Sequence, residues 1–212
     1  ADVADEWPEM ALGDGEVERL KFPTNVYGLT KLMDELMLSR STDRAYLAFR
    51  YFNVAGAHPG GLIGEHHDPE SHLIPLVLAA AAGLRPGVTI YGDDYATADG
   101  TAVRDYVHVQ DLVEAHVKGL DYLLSGGSSG ACNLGTSEGA SVREIIDAAT
   151  RVTGRAVSVT MGPRRSGDPD RLVADPTHAR DLLGWKTDYP ELEPIVESAW
   201  KFHTDNPNGY GD

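Results

Sequence analysis

A single cysteine, Cys132, among 212 residues excludes a disulfide within the chain and fits a reducing, cytoplasmic setting. As a small apolar side chain it is expected in the core rather than in chemistry. Long hydrophobic runs are also missing. The longest, LIPLVLAAAAGL at 73–84, is 12 residues, short of the roughly 20 that a membrane-spanning helix needs. Basic residues are scarce: 18 Lys and Arg against 33 Asp and Glu leave a formal charge of −15. That balance argues against a nucleic-acid or anionic-membrane surface as the main partner. An anionic small ligand stays open if arginines cluster locally. The opening ADVADEWPEMALGDGEVE holds seven acids and neither a basic nor an apolar stretch, so it does not read as a signal peptide. A start at Ala rather than Met is what a cut or processed chain is expected to have. Neither an internal repeat nor a low-complexity segment is present. Against these absences, 42% apolar content is ample for a packed core.

The apolar positions Val26, Leu29, Leu32, Met33, Leu36 and Met37 recur at helical spacing and predict a helix from Asn25 to about Ser41. AYLAFRYFNV at 45–54 follows as a buried strand, and a helix leading into a near-continuous apolar strand points to a parallel sheet of the α/β class. Residues 56–72 are rich in glycine and proline and read as a long loop. Beyond it the pattern predicts a helix at 73–83, strands at 88–91 and 103–109 around a turn-rich loop, and a helix from about Asp111 to Leu124. Ser141 and Glu144 form a capping-box signature, with Gly154 as the helix stop. Asp175-Pro176 predicts another start, with Asp as N-cap and Pro as the first helical residue, closed by Gly184. A last helix is expected at about 190–203.

Tyr27 and Lys31 are four apart, so on a helix both project from one face and their polar ends can meet the same ligand. A free phenol ionises near pH ~10 and is a poor base at neutrality, but an adjacent ammonium favours the phenolate. Such a tyrosine can take a proton from a sugar hydroxyl while hydride leaves the same carbon for a nicotinamide. Taken alone, the pair reads sooner as a solvated helix face than as a catalytic pair.

In order and at close to the family's spacing, PTNVYGLTK, RYFNVAGAHPGG, SHLIP, TIYGDDYATADGTAVRDYVHVQDL, CNLGT, PRRSGDP and ADPTHARDLLGW resemble the UDP-glucose 4-epimerases of the extended short-chain dehydrogenase/reductase superfamily. The resemblance covers about residues 23–212, and the stretch 90–111 is specific to the epimerase branch. It implies tightly bound NAD, inversion of UDP-galactose and UDP-glucose at C4 through a 4-keto sugar, and a role in galactose metabolism. It also implies that Tyr27 is the acid/base, that Lys31 binds the nicotinamide ribose and tunes the tyrosine, and that Tyr51 and Phe52 lie against the nicotinamide. Asn53 matches the asparagine that hydrogen-bonds the UDP-sugar, against the alternative of a strand-end residue capping its own turn. Arg104 and Arg165 match the arginines that clamp the diphosphate, for which a planar guanidinium fork is suited; the alternative is surface arginines at loop ends. Asp168 matches the uridine ribose contact. Leu73, Thr89 and Tyr91 match the uracil pocket, His72 a backbone or sugar contact, and Leu172 the position that sets the pocket size for the 2-substituent. The histidines His66, His67 and His72 fit no common zinc spacing, so no metal is expected. His108 reads as a satisfied core histidine.

Two family features lack a match. No glycine-rich dinucleotide fingerprint stands in residues 1–24, and no serine or threonine occurs in positions 1–22 to assist the tyrosine. The expected organisation is therefore an acidic atypical segment at 1–24, a remnant of a doubly wound, Rossmann-type NAD domain at 25–56, and a smaller mixed α/β UDP-sugar domain at 57–212, with 103–124 able to return to the NAD domain. A chain lacking partner strands is expected to dimerise or to be completed by another chain. Alone, it is expected neither to retain NAD nor to epimerise. Two other readings stand beside this one: a non-catalytic UDP-sugar-binding fragment, and a related NAD-dependent sugar-nucleotide dehydratase or decarboxylase.

Overall fold

The computed structural model describes residues 26–40 and 44–210, so the expectations for the acidic segment 1–24 and for Asn25 lie outside the described residues. The elements run α1 (Val26–Ser39), β1 (Leu47–Tyr51), β2 (Asn53–Ala55), α2 (Leu73–Ala81), β3 (Val88–Tyr91), β4 (Val103–Arg104), β5 (Tyr106–His108), α3 (Val109–Leu124), β6 (Gly130–Leu134), β7 (Ala140–Ser141), α4 (Val142–Thr153), β8 (Val159–Gly162), β9 (Arg171–Leu172), α5 (Thr177–Leu183) and α6 (Leu192–Asp205). Four of the five strand pairs are parallel: β1 with β6, β2 with β5, β3 with β8 and β4 with β9. Among the described residues, β4 and β7 alone run antiparallel. Helices between parallel strands give the α/β character expected from the alternating pattern.

The run at 45–54 is not one strand with one neighbour. It changes partner at Phe52, whose N–H donates to Leu134 O at 3.3 Å, while the Asn53 N–H donates to Asp105 O at 2.9 Å. Nor is its first half buried as expected. Leu47 to Arg50 are half-buried and Tyr51 is exposed, because among the described residues β1 has a hydrogen-bonded neighbour along one edge only. The apolar groove left between β1 and α3 is about 300 Å³, lined by Phe49, Tyr51, His116, Leu120 and Leu123 among others.

Two clusters hold the remainder together. In the first, α2 buries Ile74, Val77, Leu78 and Ala81, at helical spacing, against Ile145, Ala148 and Ala149 of α4 and Ile195 and Val196 of α6. Each such branched side chain contributes about 1.5–3 kcal/mol when buried. The second joins Val107, Leu112, Ala115, Cys132, Leu134, Ala179 and Trp185, placing Cys132 in the core. Its anchor is polar: Trp185 Nε1 donates to Asp111 O at 2.8 Å, and the Asp111 carboxylate accepts from the N–H groups of Asp188 and Tyr189. Burial pushes the Asp111 carboxyl up despite these donors.

The capping box forms in both directions, Ser141 Oγ accepting from Glu144 N at 3.0 Å and Glu144 Oε2 accepting from Ser141 N at 2.7 Å, and Gly154 ends α4 at φ 67°. Two expected helix starts shift. α3 begins before Asp111, because His108 Nδ1 accepts the Gln110 N–H and so caps the helix there. α5 begins at Thr177 with Pro176 in the cap position at ψ 13°, rather than with Asp175 as N-cap; Asp175 Oδ1 still accepts the Thr177 N–H at 2.9 Å. No described helix is long and apolar enough to cross a membrane.

Candidate functional site

β3, β4 and the loop after β8 bring six of the expected site residues into one group. Thr89 and Tyr91 project from one side of β3, where Tyr91 is paired with Gly162 of β8 and a Cβ on Gly162 would press on both side chains. The Arg165 guanidinium lies over the Tyr91 ring, 4.3 Å from its centroid. Three residues on, Asp168 N–H donates to Arg165 O across the turn, and Asp168 Oδ1 accepts from Arg104 Nη2 at 2.5 Å. Arg104 is in register with Leu172 of β9. A second guanidinium repeats the stacking: Arg164 lies 4.0 Å from the centroid of Tyr95, is ion-paired with Asp170, and has Tyr95 Oη donating to Asp168 Oδ2 at 3.3 Å beneath it. Burial, and then the Asp168 carboxylate, push the Tyr95 hydroxyl up, which keeps it a neutral donor.

Three guanidinium groups, one from β4 and two from the loop after β8, stand beside the carboxylates of Asp168 and Asp170 and above that of Asp105, so what the group concentrates on this acidic chain is hydrogen-bond donors rather than net positive charge. Each guanidinium lies over an aromatic ring or is held by a carboxylate, so less rotamer entropy is lost when an anion binds. Arg104 spends one N–H on Val103 O and one on Asp168, of the five that a guanidinium carries. The arrangement suits a diphosphate, with tyrosine rings beside it for a flat base.

Beneath this group lies a residue that the sequence pattern does not reveal. Asp105 is fully buried, and its carboxylate accepts from Thr136 N (2.9 Å), Thr136 Oγ1 (2.6 Å), Ser137 N (3.1 Å) and Ala174 N (3.1 Å). It ties the loop after β6 and the segment after β9 to the strand carrying Arg104, and it holds Ser137 at φ 75°. Tyr95 and Asp170 are likewise additions, with the run TIYGDDY as the available signal for the first; the sequence already marks Arg164, through the pair Arg164-Arg165, as a source of positive charge beside Asp168.

The remaining expected residues stand elsewhere. Tyr27 and Lys31 share a face of α1, with Lys31 Nζ 5.6 Å from the Tyr27 ring centroid, and Lys31 pairs with Asp34 at 3.3 Å. Tyr27 is 72% exposed. α1 is fastened to β1 by Glu35, whose two oxygens accept from Arg50 Nε and Nη2 at 2.7 and 2.6 Å. Tyr51, Phe52 and Asn53 mark the partner switch from β1 to β2, and the Tyr51 and Asn53 side chains are exposed. Leu73 opens α2 and packs on the first cluster. His72 turns to Glu65 and Glu70 rather than to the arginines. Among the described residues, no hydrogen bond or ion pair joins Tyr27, Lys31 or His72 to the arginine group. His108 is fully buried and doubly satisfied: Nδ1 accepts from Gln110 N and Nε2 faces Ser198 Oγ at 3.0 Å, with Tyr189 stacked at 4.1 Å. Burial pushes its imidazole down to about 4, so it is neutral.

The family model described as GDP-mannose 4,6 dehydratase matches residues 15–197. The chain belongs to that family. A UDP-glucose 4-epimerase of Lacticaseibacillus casei is 53% identical over 194 residues, 90% of this chain and 58% of that protein. One of Halalkalibacterium halodurans is 49% identical over 89% of this chain and 57% of that protein. The chain thus spans somewhat more than half the length of these relatives. Among solved structures, a UDP-glucose 4-epimerase superposes with a TM-score of 0.87 at 50% identity, covering 93% of this chain and 63% of the other. The Brucella ovis UDP-glucose 4-epimerase in complex with NAD gives 0.83 at 46% identity, covering 95% and 63%. The Bifidobacterium longum UDP-glucose 4-epimerase in complex with NAD+ and UDP gives 0.83 at 37% identity, covering 98% and 62%. These likenesses agree with the Rossmann-type α/β class expected from the sequence.

Proposed function

We propose that the chain carries the UDP-sugar seat and the Tyr-Lys helix of an NAD-dependent UDP-glucose 4-epimerase acting in galactose metabolism in the cytoplasm. The observation that carries this reading is the joining of Arg165 on Tyr91 to Arg104 through Asp168. In this reading Arg104 and Arg165 hold the diphosphate, Asp168 the ribose, and Thr89, Tyr91 and Leu73 the uracil. Asn53 meets the sugar side, His72 adds a backbone contact there while its ring turns to Glu65 and Glu70, and Leu172 limits the 2-substituent. Firm fixation of the nucleotide leaves the sugar free to turn over in the pocket, which inversion at C4 requires.

NAD fits the residues at one end only. Tyr27 and Lys31 present their polar ends outward from α1, and Tyr51 stands exposed beside the apolar groove, so these with Phe52 would hold the nicotinamide side. The described residues hold no glycine-rich turn for the pyrophosphate. When bound, the cofactor removes and returns hydride at the sugar C4. Tyr27 Oη takes the C4 hydroxyl proton and gives it back, while the Lys31 ammonium supplies positive charge beside it.

In this reading residues 25–56 belong to the NAD domain and 57–212 to the UDP-sugar domain, with 103–124 returning to the former. Exposed stripes on α1 (Val26, Leu29, Met33, Met37) and α3 (Val113, Val117, Leu120, Leu124) support completion by further polypeptide or a second copy. The isolated chain then neither retains NAD nor turns over UDP-galactose. A chimera joining residues 25–212 to the amino-terminal part of the L. casei relative tests this reading. It should convert UDP-galactose to UDP-glucose, and Tyr27→Phe should lower kcat at least ~100-fold, as removal of an acid/base does. A folded chimera that binds NAD and UDP yet has no turnover, or full activity with Tyr27→Phe, would overturn it.

A further inference from the structure

The loop at 56–72 ends in a cluster that the nucleotide seat does not use. Glu65, His67, Glu70 and His72 each offer one donor atom, and the four atoms lie within 4.8 Å of one another. We propose that these four side chains form a binding site for one divalent cation of the zinc class, which fastens the loop to the start of α2.

Three of the donor separations are close to the edge of a tetrahedral centre, and the rest lie within 4.8 Å. His67 Nδ1 is 3.1 Å from Glu65 Oε1 and 3.5 Å from Glu70 Oε2, and His72 Nδ1 is 2.9 Å from Glu65 Oε1 and 2.8 Å from Glu70 Oε1. Metal–ligand lengths of about 2.0–2.2 Å place neighbouring donors of a tetrahedron about 3.3 Å apart. With Glu70 Oε2 as the donor, the Glu65–His67, Glu70–His67 and Glu65–His72 separations of 3.1, 3.5 and 2.9 Å lie around that edge, so an ion needs modest shifts of side chains that already face one another. The two rings are tilted by 42° with centroids 4.9 Å apart, which leaves both Nδ1 atoms directed at the carboxylates.

The donor chemistry selects the ion class. Two imidazoles with two carboxylates suit zinc, cobalt or nickel; magnesium and calcium prefer oxygen alone. Two carboxylates and two neutral imidazoles carry charge −2, which a divalent ion cancels. Among the described residues, the ion pairs of Glu65 and Glu70 go to the two histidines and none goes to a lysine or arginine.

The site is also held in place from outside. Glu70 Oε1 accepts the N–H groups of Ser71 and His72 at 2.6 and 2.7 Å, which orients its second oxygen toward His67. Such outer contacts are what fix the carboxylates of metal centres. His72 is the N-cap residue of α2 but makes no side-chain capping bond; its ring is turned into the cluster instead. The E-x-H-x2-E-x-H order is compact because the loop folds back on itself, which is why no common zinc spacing is visible in the sequence.

The test uses the full chain without an affinity tag, stripped with chelator and titrated with Co2+ and then Zn2+. One Co2+ should bind with the intense visible absorption of a four-coordinate ion, and one Zn2+ should displace it. The double substitution His67→Ala/His72→Ala should weaken binding by more than the ~10–100-fold that loss of a supporting contact costs. His66→Ala, between Glu65 and His67 in sequence but outside the set, should leave affinity unchanged. X-ray absorption of the zinc-loaded chain should show imidazole nitrogen together with oxygen, and this reading stands even if the double variant fails to fold. Absence of stoichiometric binding, equal affinity in a folded double variant, or an all-oxygen six-coordinate ion would each overturn the proposal.

Discussion

Asp105→Asn isolates the contribution of one buried carboxylate to the frame of the arginine seat. The replacement keeps the shape and one acceptor oxygen, which continues to take the Thr136 N–H at 2.9 Å and the Thr136 hydroxyl at 2.6 Å. The other oxygen becomes an NH2 facing the N–H groups of Ser137 and Ala174, each 3.1 Å away. Two donors then oppose a donor in a site without solvent. An unsatisfied buried N–H costs about 1–3 kcal/mol, so the two together remove about 2–6 kcal/mol, before any loss of the charge-assisted bonds from Thr136. For a chain of this size that corresponds to a thermal midpoint lower by about 4–24 °C, read by circular dichroism. A flip of the amide returns an acceptor to Ser137 and Ala174 and leaves one conflict, with the Thr136 N–H, because the Thr136 hydroxyl can turn to accept from the NH2; the loss is then about 1–3 kcal/mol, or about 2–12 °C. A folded Asp105→Asn variant with an unchanged midpoint would refute the assignment of this carboxylate as the clamp between the β4–β5 strand, the loop after β6 and the segment after β9.

Acid should weaken the fold through His108. Its folded value of about 4 lies below the ordinary 6.5, so the unfolded chain takes up a proton that the folded chain refuses; stability should fall by about 3 kcal/mol as pH drops from 6.5 to 4. Urea midpoints across that window should show a shallower decline for His108→Gln, and an identical pH profile would contradict the burial argument. Gly100→Ala should destabilise by about 1–3 kcal/mol, because φ is +77° and the added Cβ would lie 2.3 Å from Asp93 O. A shift of the same variant's urea midpoint toward higher stability would show that the 92–101 turn is not constrained as described.

The helices were legible wherever the local pattern carried its own stop and start, as in α4 with Ser141, Glu144 and Gly154. α2 was legible because a 12-residue apolar run bounded by turns can bury itself only as a core element. β6 to β9 were not, since strands of two to five residues without alternation are made by their neighbours rather than by their own composition. The partner switch at Phe52 was invisible for the same reason. In the site, Tyr91, Arg104, Arg165 and Asp168 were readable from the family likeness, whereas Asp105 and Tyr95 act through contacts 31 to 73 residues apart in sequence. Glu65 and Glu70 meet His67 and His72 through the fold of the loop rather than through a legible spacing.

Calorimetric titration of the chain with UDP bears most directly on the arginine seat. One UDP should bind per chain. Arg104→Ala and Arg165→Ala should each weaken it about 10–100-fold, the worth of a charge-assisted phosphate contact, while Arg151→Ala, whose guanidinium pairs with Glu193 elsewhere on the surface, should leave it unchanged. No measurable heat with UDP, or equal losses in all three variants, would contradict the account.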